Sequence, residues 1–162
     1  MKKFLTLILL IIISFSFTGC NLNTSQYIRP KAKPSANYYT NEIQDKISEN
    51  LEYTLRIFDM DYYKYYEVNM EEHSILPEFI DSLSDENYSV TLENDLNPKY
   101  KLIIEFSDSK YIINLYDNNL ISIYPWDGVF KEDVATMDGI SDYYNLYKFC
   151  EYAKKISNGF EG

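Results

Sequence analysis

Residues 100–124 read YKLIIEFSDSKYIINLYDNNLISIY, and this stretch decides the fold. Tyr100, Leu102, Ile104 and Phe106 alternate with Lys101, Ile103 and Glu105. A period of two puts successive side chains on opposite faces of a strand. Ser107-Asp108-Ser109 supplies a turn, and Tyr111 to Tyr116 returns antiparallel. Asp117-Asn118-Asn119 supplies a second turn, because Asn tolerates positive φ. Leu120 to Tyr124 then completes a three-stranded meander. Ile103, Ile112, Ile121 and Ile123 imply that both faces of the sheet are partly covered, by helices.

Before the meander, Ile43, Ile47, Leu51, Leu55 and Phe58 fall at helical spacing and predict a helix over 40–58. Thr40 or Asn41 is its expected cap, with Glu42 and Asp45 in the first turn, where the helix dipole favours acids. Tyr62 to Met70 alternates and is rich in Tyr, which suits a strand. Ser74 offers a cap for a short helix carrying Ile75, Leu76, Phe79, Ile80 and Leu83, with Pro77 in its first turn. Val90 to Leu92 reads as a short strand. After the meander, a last helix is expected from Ser141 to Ser157. Its buried stripe would be Tyr143, Leu146, Tyr147, Cys150 and Ala153, with Lys154 and Lys155 at its negative end and Gly159 as its stop. The expected fold is α+β, an antiparallel β-meander packed against helices in a single domain.

Composition narrows the function classes. The 162 residues leave room for one domain. A hydrophobic content of 46% is too high for a disordered chain. The formal net charge of -10 argues against nucleic acid as a partner, since phosphate recognition needs a basic patch. One His and two Cys are too few for a structural zinc site, and no cofactor is implied. Eighteen Ile and fourteen Asn beside four Ala suggest an A+T-rich coding sequence, which lowers the weight of the seventeen Tyr.

The N-terminal segment carries an address. Met1-Lys2-Lys3 is positive, and residues 4–17 hold no charge. Such a run is shorter than the roughly 20 residues a spanning helix needs, and reads as the h-region of an export signal. Phe17-Thr18-Gly19-Cys20 follows and resembles the lipobox of bacterial lipoproteins, with Phe17 standing where Leu is favoured. The resemblance covers residues 1–20 alone. It implies that residues 1–19 are a lipoprotein signal peptide and that Cys20 becomes the N-terminus, bearing a diacylglyceryl group. Two acyl chains suffice for stable anchoring where one does not. The alternative is a conventional signal peptide, with Cys20 an incidental thiol able to pair with Cys150.

Residues 20–36 are polar, contain Pro30 and Pro34, and read as a tether carrying Arg29, Lys31 and Lys33, which could lie on anionic head groups. Residues 37–162 form the expected globular domain. They hold all 25 acidic residues against 10 basic ones, a net charge of -15. The expected location is therefore the extracytoplasmic face of the cell membrane, with the acidic domain standing off from the lipid.

Candidate sites are few. Cys150 lies on an apolar helical stripe, where a free Cys behaves as a small hydrophobe. His73, beside Glu71 and Glu72, lacks a nucleophile in any recognised spacing. Asp59 with Asp61, and Glu93-Asn94-Asp95, lack the spacing of a calcium loop. No catalytic or metal-ligating residue is therefore assigned. Tyr124-Pro125-Trp126-Asp127-Gly128 is the most distinctive run. Trp126, Tyr124 and Asp127 are the candidate binding residues, because an exposed Trp with Tyr neighbours can stack on a sugar or grip a peptide. The competing reading buries Trp126 beneath the meander. The expected function is a non-enzymatic binding or accessory module with a protein or cell-wall partner. The alternatives are a small envelope hydrolase using a carboxylate pair, or a solute-binding lipoprotein, a class whose two-lobed members are much longer.

Overall fold

Six strands make one antiparallel sheet in the order β2-β1-β3-β4-β5-β6. The computed structural model describes residues 32–157 apart from 94 and 118. The strands are β1 (Tyr53–Asp59), β2 (Lys64–Glu67), β3 (Tyr100–Phe106), β4 (Lys110–Leu115), β5 (Leu120–Pro125) and β6 (Asp133–Thr136). The helices are α1 (Tyr38–Ser48), α2 (Ile75–Ser82) and α3 (Leu146–Ser157), with short 3-10 turns at Met70–Glu72 and Asp85–Tyr88. The fold is α+β in a single domain, and the meander is its centre. Leu102, Ile104, Ile113, Leu115, Ile121 and Ile123 are fully buried on one face. They share a core with Ile43 of α1, Leu76 and Phe79 of α2, and Leu146 and Cys150 of α3.

The first helix is shorter than its spacing predicts, for a local reason. Asn50 adopts φ 58°, its N–H bonds to the Ile47 carbonyl, and the Leu51 N–H bonds to the Lys46 carbonyl. This pair of bonds around a left-handed residue is a Schellman stop, with Asn in the place glycine usually takes. Leu51 is left exposed, and Leu55 and Ile57 are buried at strand period on β1. The helix also starts earlier than expected, at Tyr38, which leaves Glu42 and Asp45 outside its first turn.

Thr40 does not cap α1. It lies within the helix, and its N–H and hydroxyl donate to Asp133 Oδ2 at 2.7 and 2.8 Å. A carboxylate from β6 thus satisfies one of the free donors of the first turn. The second strand is confined to Lys64–Glu67, because Tyr63 takes φ 52° in the hairpin turn.

Val90 to Leu92 is not a strand, and β6 was not anticipated. The last helix begins at Leu146 rather than near Ser141. Asn145 Oδ1 accepts from the N–H groups of Tyr147 and Lys148 and so makes the cap, and Tyr143 lies exposed outside the helix. Gly159 falls outside the described residues.

The helices cover one face of the sheet, not both. After Asp85–Tyr88, the chain is held at the sheet edge by Asn87, whose Nδ2 donates to the carbonyls of Thr136 and Asp138. It then passes to the other face and rejoins the sheet at Lys99, whose N–H donates to the Leu115 carbonyl.

Candidate functional site

The outer face of β4, β5 and β6 carries the alternate residues of each strand. Ile103 and Ile112 stand opposite one another and are buried. Next along β4, Asn114 stands opposite Ser122, which stands opposite Val134. Polar side chains therefore interrupt an otherwise apolar floor. Asn114 Nδ2 donates to Ser122 Oγ at 3.1 Å, and the Tyr116 hydroxyl lies 3.5 Å from the same oxygen. Asn114 is 9% exposed, and its Oδ1 has no hydrogen-bond partner among the described residues. Burial, with Glu132 and Tyr116 nearby, raises the pKa of the Tyr124 hydroxyl, and the adjacent Asn114 amide opposes the shift. Asn114, Tyr116 and Tyr124 line a cleft of about 820 Å³ whose far wall is Val90, Thr91 and Leu92, and Ser122 lies fully buried beneath it. That volume lies within the range typical of small-ligand sites.

Trp126 stands at one end of the cleft, and at 73% exposed it is not core. Its N–H donates to the Lys110 carbonyl, and the Lys110 ammonium lies 5.5 Å from the indole centroid. Pro125 to Gly128 form a turn closed by the Gly128 N–H on the Pro125 carbonyl. A β-carbon on Gly128 would come within 3.0 Å of the Tyr39 hydroxyl and 3.1 Å of Pro125 Cγ, so the close approach selects glycine here. Tyr39 pins the segment that follows: its hydroxyl accepts from the Phe130 N–H at 2.8 Å and donates to the Phe130 carbonyl at 3.2 Å. Trp126 is thus presented on a turn braced from α1.

Tyr124 and Trp126 come together in this cleft, whereas Asp127 is exposed in the turn and does not line it. Asn114, Ser122 and Tyr116 escaped the sequence reading. Their signal was polar residues in the middle of two apolar strands.

The remaining candidates have other surroundings. The His73 ring stacks on Tyr53 with centroids 5.2 Å apart, and its Nε2 lies 3.3 Å from the Val68 carbonyl. Cys150 is fully buried, and burial, with Glu151 and Asp59 adding to it, pushes its thiol well above the usual range. Asp59 and Asp61 separate: Asp61 is exposed, while Asp59 is buried against Lys154 at 2.6 Å. Glu93 and Asp95 lie exposed in the 89–99 segment. A second cleft, of about 570 Å³, is lined by acids including Glu71, Glu78 and Asp142 beside Tyr143 and Tyr152. Asp142 there pairs with Lys148. Among the described residues no three His, Cys, Asp or Glu side chains are grouped to hold a metal, and no helix is long and apolar enough to cross a membrane. Cys20 lies outside the described residues.

The family described as Domain of unknown function (DUF4883) matches residues 33–150. Among solved structures, the chain is similar to a crystal structure described as a "Putative Lipoprotein from Clostridium perfringens". The two are 31% identical with a TM-score of 0.70, over 76% of this chain and 99% of that one. No curated protein matches the chain.

Proposed function

The chain belongs to the DUF4883 family, and on that premise we propose that it works as a lipid-anchored, extracytoplasmic binding module. The anchor is Cys20, and the working surface is the cleft between the outer sheet face and the 89–99 segment. The observation that carries the binding role is the cleft itself, where an exposed Trp126 stands over a buried polar floor. The anchor is supported by the Phe17-Thr18-Gly19-Cys20 motif and by the likeness to a lipoprotein-described structure. A non-enzymatic role is favoured by the surroundings of the reactive side chains, since Cys150 is sealed in the core and His73 is stacked on Tyr53.

In this reading the free tether is shorter than residues 20–36. Lys33 is bound to the domain, its ammonium 2.8 Å from Asp133 Oδ1 and 2.9 Å from the Glu132 carbonyl. Arg29 and Lys31 remain as the cations available to lipid head groups.

Intact mass spectrometry of membrane fractions tests the anchor. The expected product is a chain beginning at Cys20 and bearing a diacylglyceryl group, absent from Cys20→Ala. An unmodified soluble chain in the wild type would overturn the anchoring.

A further inference from the structure

We propose that the groove between the start of α2 and the segment from Asp142 to Tyr152 docks a basic amphipathic helix of a partner protein. Such a helix lays its apolar side on Ile75, Phe149, Tyr143 and Tyr152 and brings its cations to the carboxylates of the rim. This surface belongs to the helix layer, apart from the Trp126 cleft on the outer sheet face, and is tested independently of it.

The two walls of the groove are held by different neighbours. Gln44 of α1 donates to Asp81 at the far end of α2. The other wall, α3, is fastened over the sheet by Lys154 on Asp59 and by Tyr147 against Tyr100. Between the start of α2 and the first half of α3 lies a space of about 570 Å³.

The first argument is apolar surface. Ile75 is buried and Phe149 half-buried in the walls, while Tyr143 and Tyr152 are 78% and 53% exposed. Met70, next in the chain to Glu71, is 83% exposed. Large apolar side chains gathered at one place on a surface mark a contact with another molecule. Unbranched Met is the side chain best able to adapt to such a partner.

Charge is the second argument. The groove is lined by Glu71, Glu72, Glu78 and Asp142 against one cation, Lys148, which Asp142 already holds. Glu71, Glu72 and Glu78 have no ion-pair partner among the described residues. Three uncompensated carboxylates beside an apolar floor complement a segment that is apolar on one side and cationic on its borders. The net charge of -15 on residues 37–162 steers cations towards the domain and keeps anionic bilayers and polymers away.

Geometry selects a helix over an extended strand. No strand lines the groove, so a peptide finds no backbone ladder to join and binds through side chains that enter between two helices. Apolar residues at i, i+3, i+4 and i+7 form such a stripe, with Lys or Arg along its borders. A small polycation answers the carboxylates and leaves the aromatic rings uncovered.

The probe is a synthetic leucine–lysine peptide of about four helical turns, with leucine on one face, fixed to a sensor surface. The whole chain in uncharged detergent flows over it, with protein-free micelles as the baseline. A leucine–glutamate peptide of the same pattern is the comparison, and free spermine the competitor. The expected result is saturable binding to the leucine–lysine peptide, weakened by salt, and none to leucine–glutamate. Glu71→Gln with Glu78→Gln weakens it about tenfold or more. Asp45→Asn with Glu49→Gln makes the same change of charge at exposed positions on and just after α1 and alters it by less than about twofold. Tyr143→Ser weakens it about tenfold at an unchanged melting temperature, because the ring it removes is exposed. Equal losses from the two carboxylate pairs mean that binding follows net charge alone, and overturn the groove. Binding that survives Tyr143→Ser, or that spermine displaces as readily as the free leucine–lysine peptide does, overturns the amphipathic helix. Silence towards the leucine–lysine peptide overturns the proposal outright.

Discussion

Two buried aspartates close helices onto the sheet at opposite ends of the fold, and they do so differently. Asp59 ends β1. Its Oδ1 accepts from the N–H groups of Asp61 and Tyr62, which shapes the turn into β2, and its Oδ2 takes Lys154 from the last turn of α3. The Lys154 ammonium also lies 4.3 Å from the Tyr62 ring centroid, so hairpin and helix share one cation. Asp133 begins β6. It caps α1 through Thr40 and holds Lys33, a residue from before the first helix. Asp59 joins two elements of the core side to each other. Asp133 joins the core side, the incoming chain and the rim of the cleft, since Glu132 and Val134 on either side of it line that cleft. A buried charge is costly unless every face of it is answered. The difference between the two sites lies in which parts of the molecule provide the answer.

The largest effect is expected from Asp133→Ala, which strands the Lys33 ammonium and the Thr40 donors. Urea denaturation should show a loss of about 3–5 kcal/mol. Asp59→Asn should cost less, about 2–3 kcal/mol. Equal losses of stability would break the comparison.

Asp59 also carries a pH dependence. Burial alone would raise the Asp59 carboxyl, but the hydrogen bond from Lys154 and the N–H groups of Tyr62 and Asp61 outweigh it and hold the pKa below the usual value. A carboxyl lowered on folding contributes stability above its unfolded pKa of about 4, lost as pH falls through the folded value. Denaturation midpoints should therefore drop on acidification below about pH 4, and drop less steeply in Asp59→Asn. Lys33→Met, which leaves Thr40 in place on Asp133, should cost about 1–2 kcal/mol in the same assay. The smallest effect belongs to Trp126→Ala. It removes an exposed side chain and should move stability by no more than about 0.5 kcal/mol. A larger loss would mean the indole is structural.

The meander was legible because three strict alternations are separated by short polar turns, so local sequence carries both the period and the breaks. The first helix was overrun because residues 51, 55 and 58 fit a helical face as well as 55 and 57 fit a strand. The left-handed Asn50 decides between them, and no spacing rule marks which Asn will take that conformation. Strand β6 was hidden because Asp133-Val134-Ala135-Thr136 is short and opens with a charge. Its burial depends on Thr40, far away in sequence. The candidate site divides the same way. Tyr124 and Trp126 announce themselves in one local run. Asn114 and Ser122 become a pair only through the register of β4 on β5.

The Lys33 tie also has a mechanical meaning. A pull applied through the residues before α1 reaches the domain first at the Lys33 ammonium, and so at the carbonyl of Glu132 and the carboxylate of Asp133. Asp133 opens β6, a strand at one edge of the sheet, and Glu132 beside it borders the cleft. Load path and cleft rim are therefore in series. Tension on the N-terminal segment is borne by the rim of the cleft before it is borne by the core.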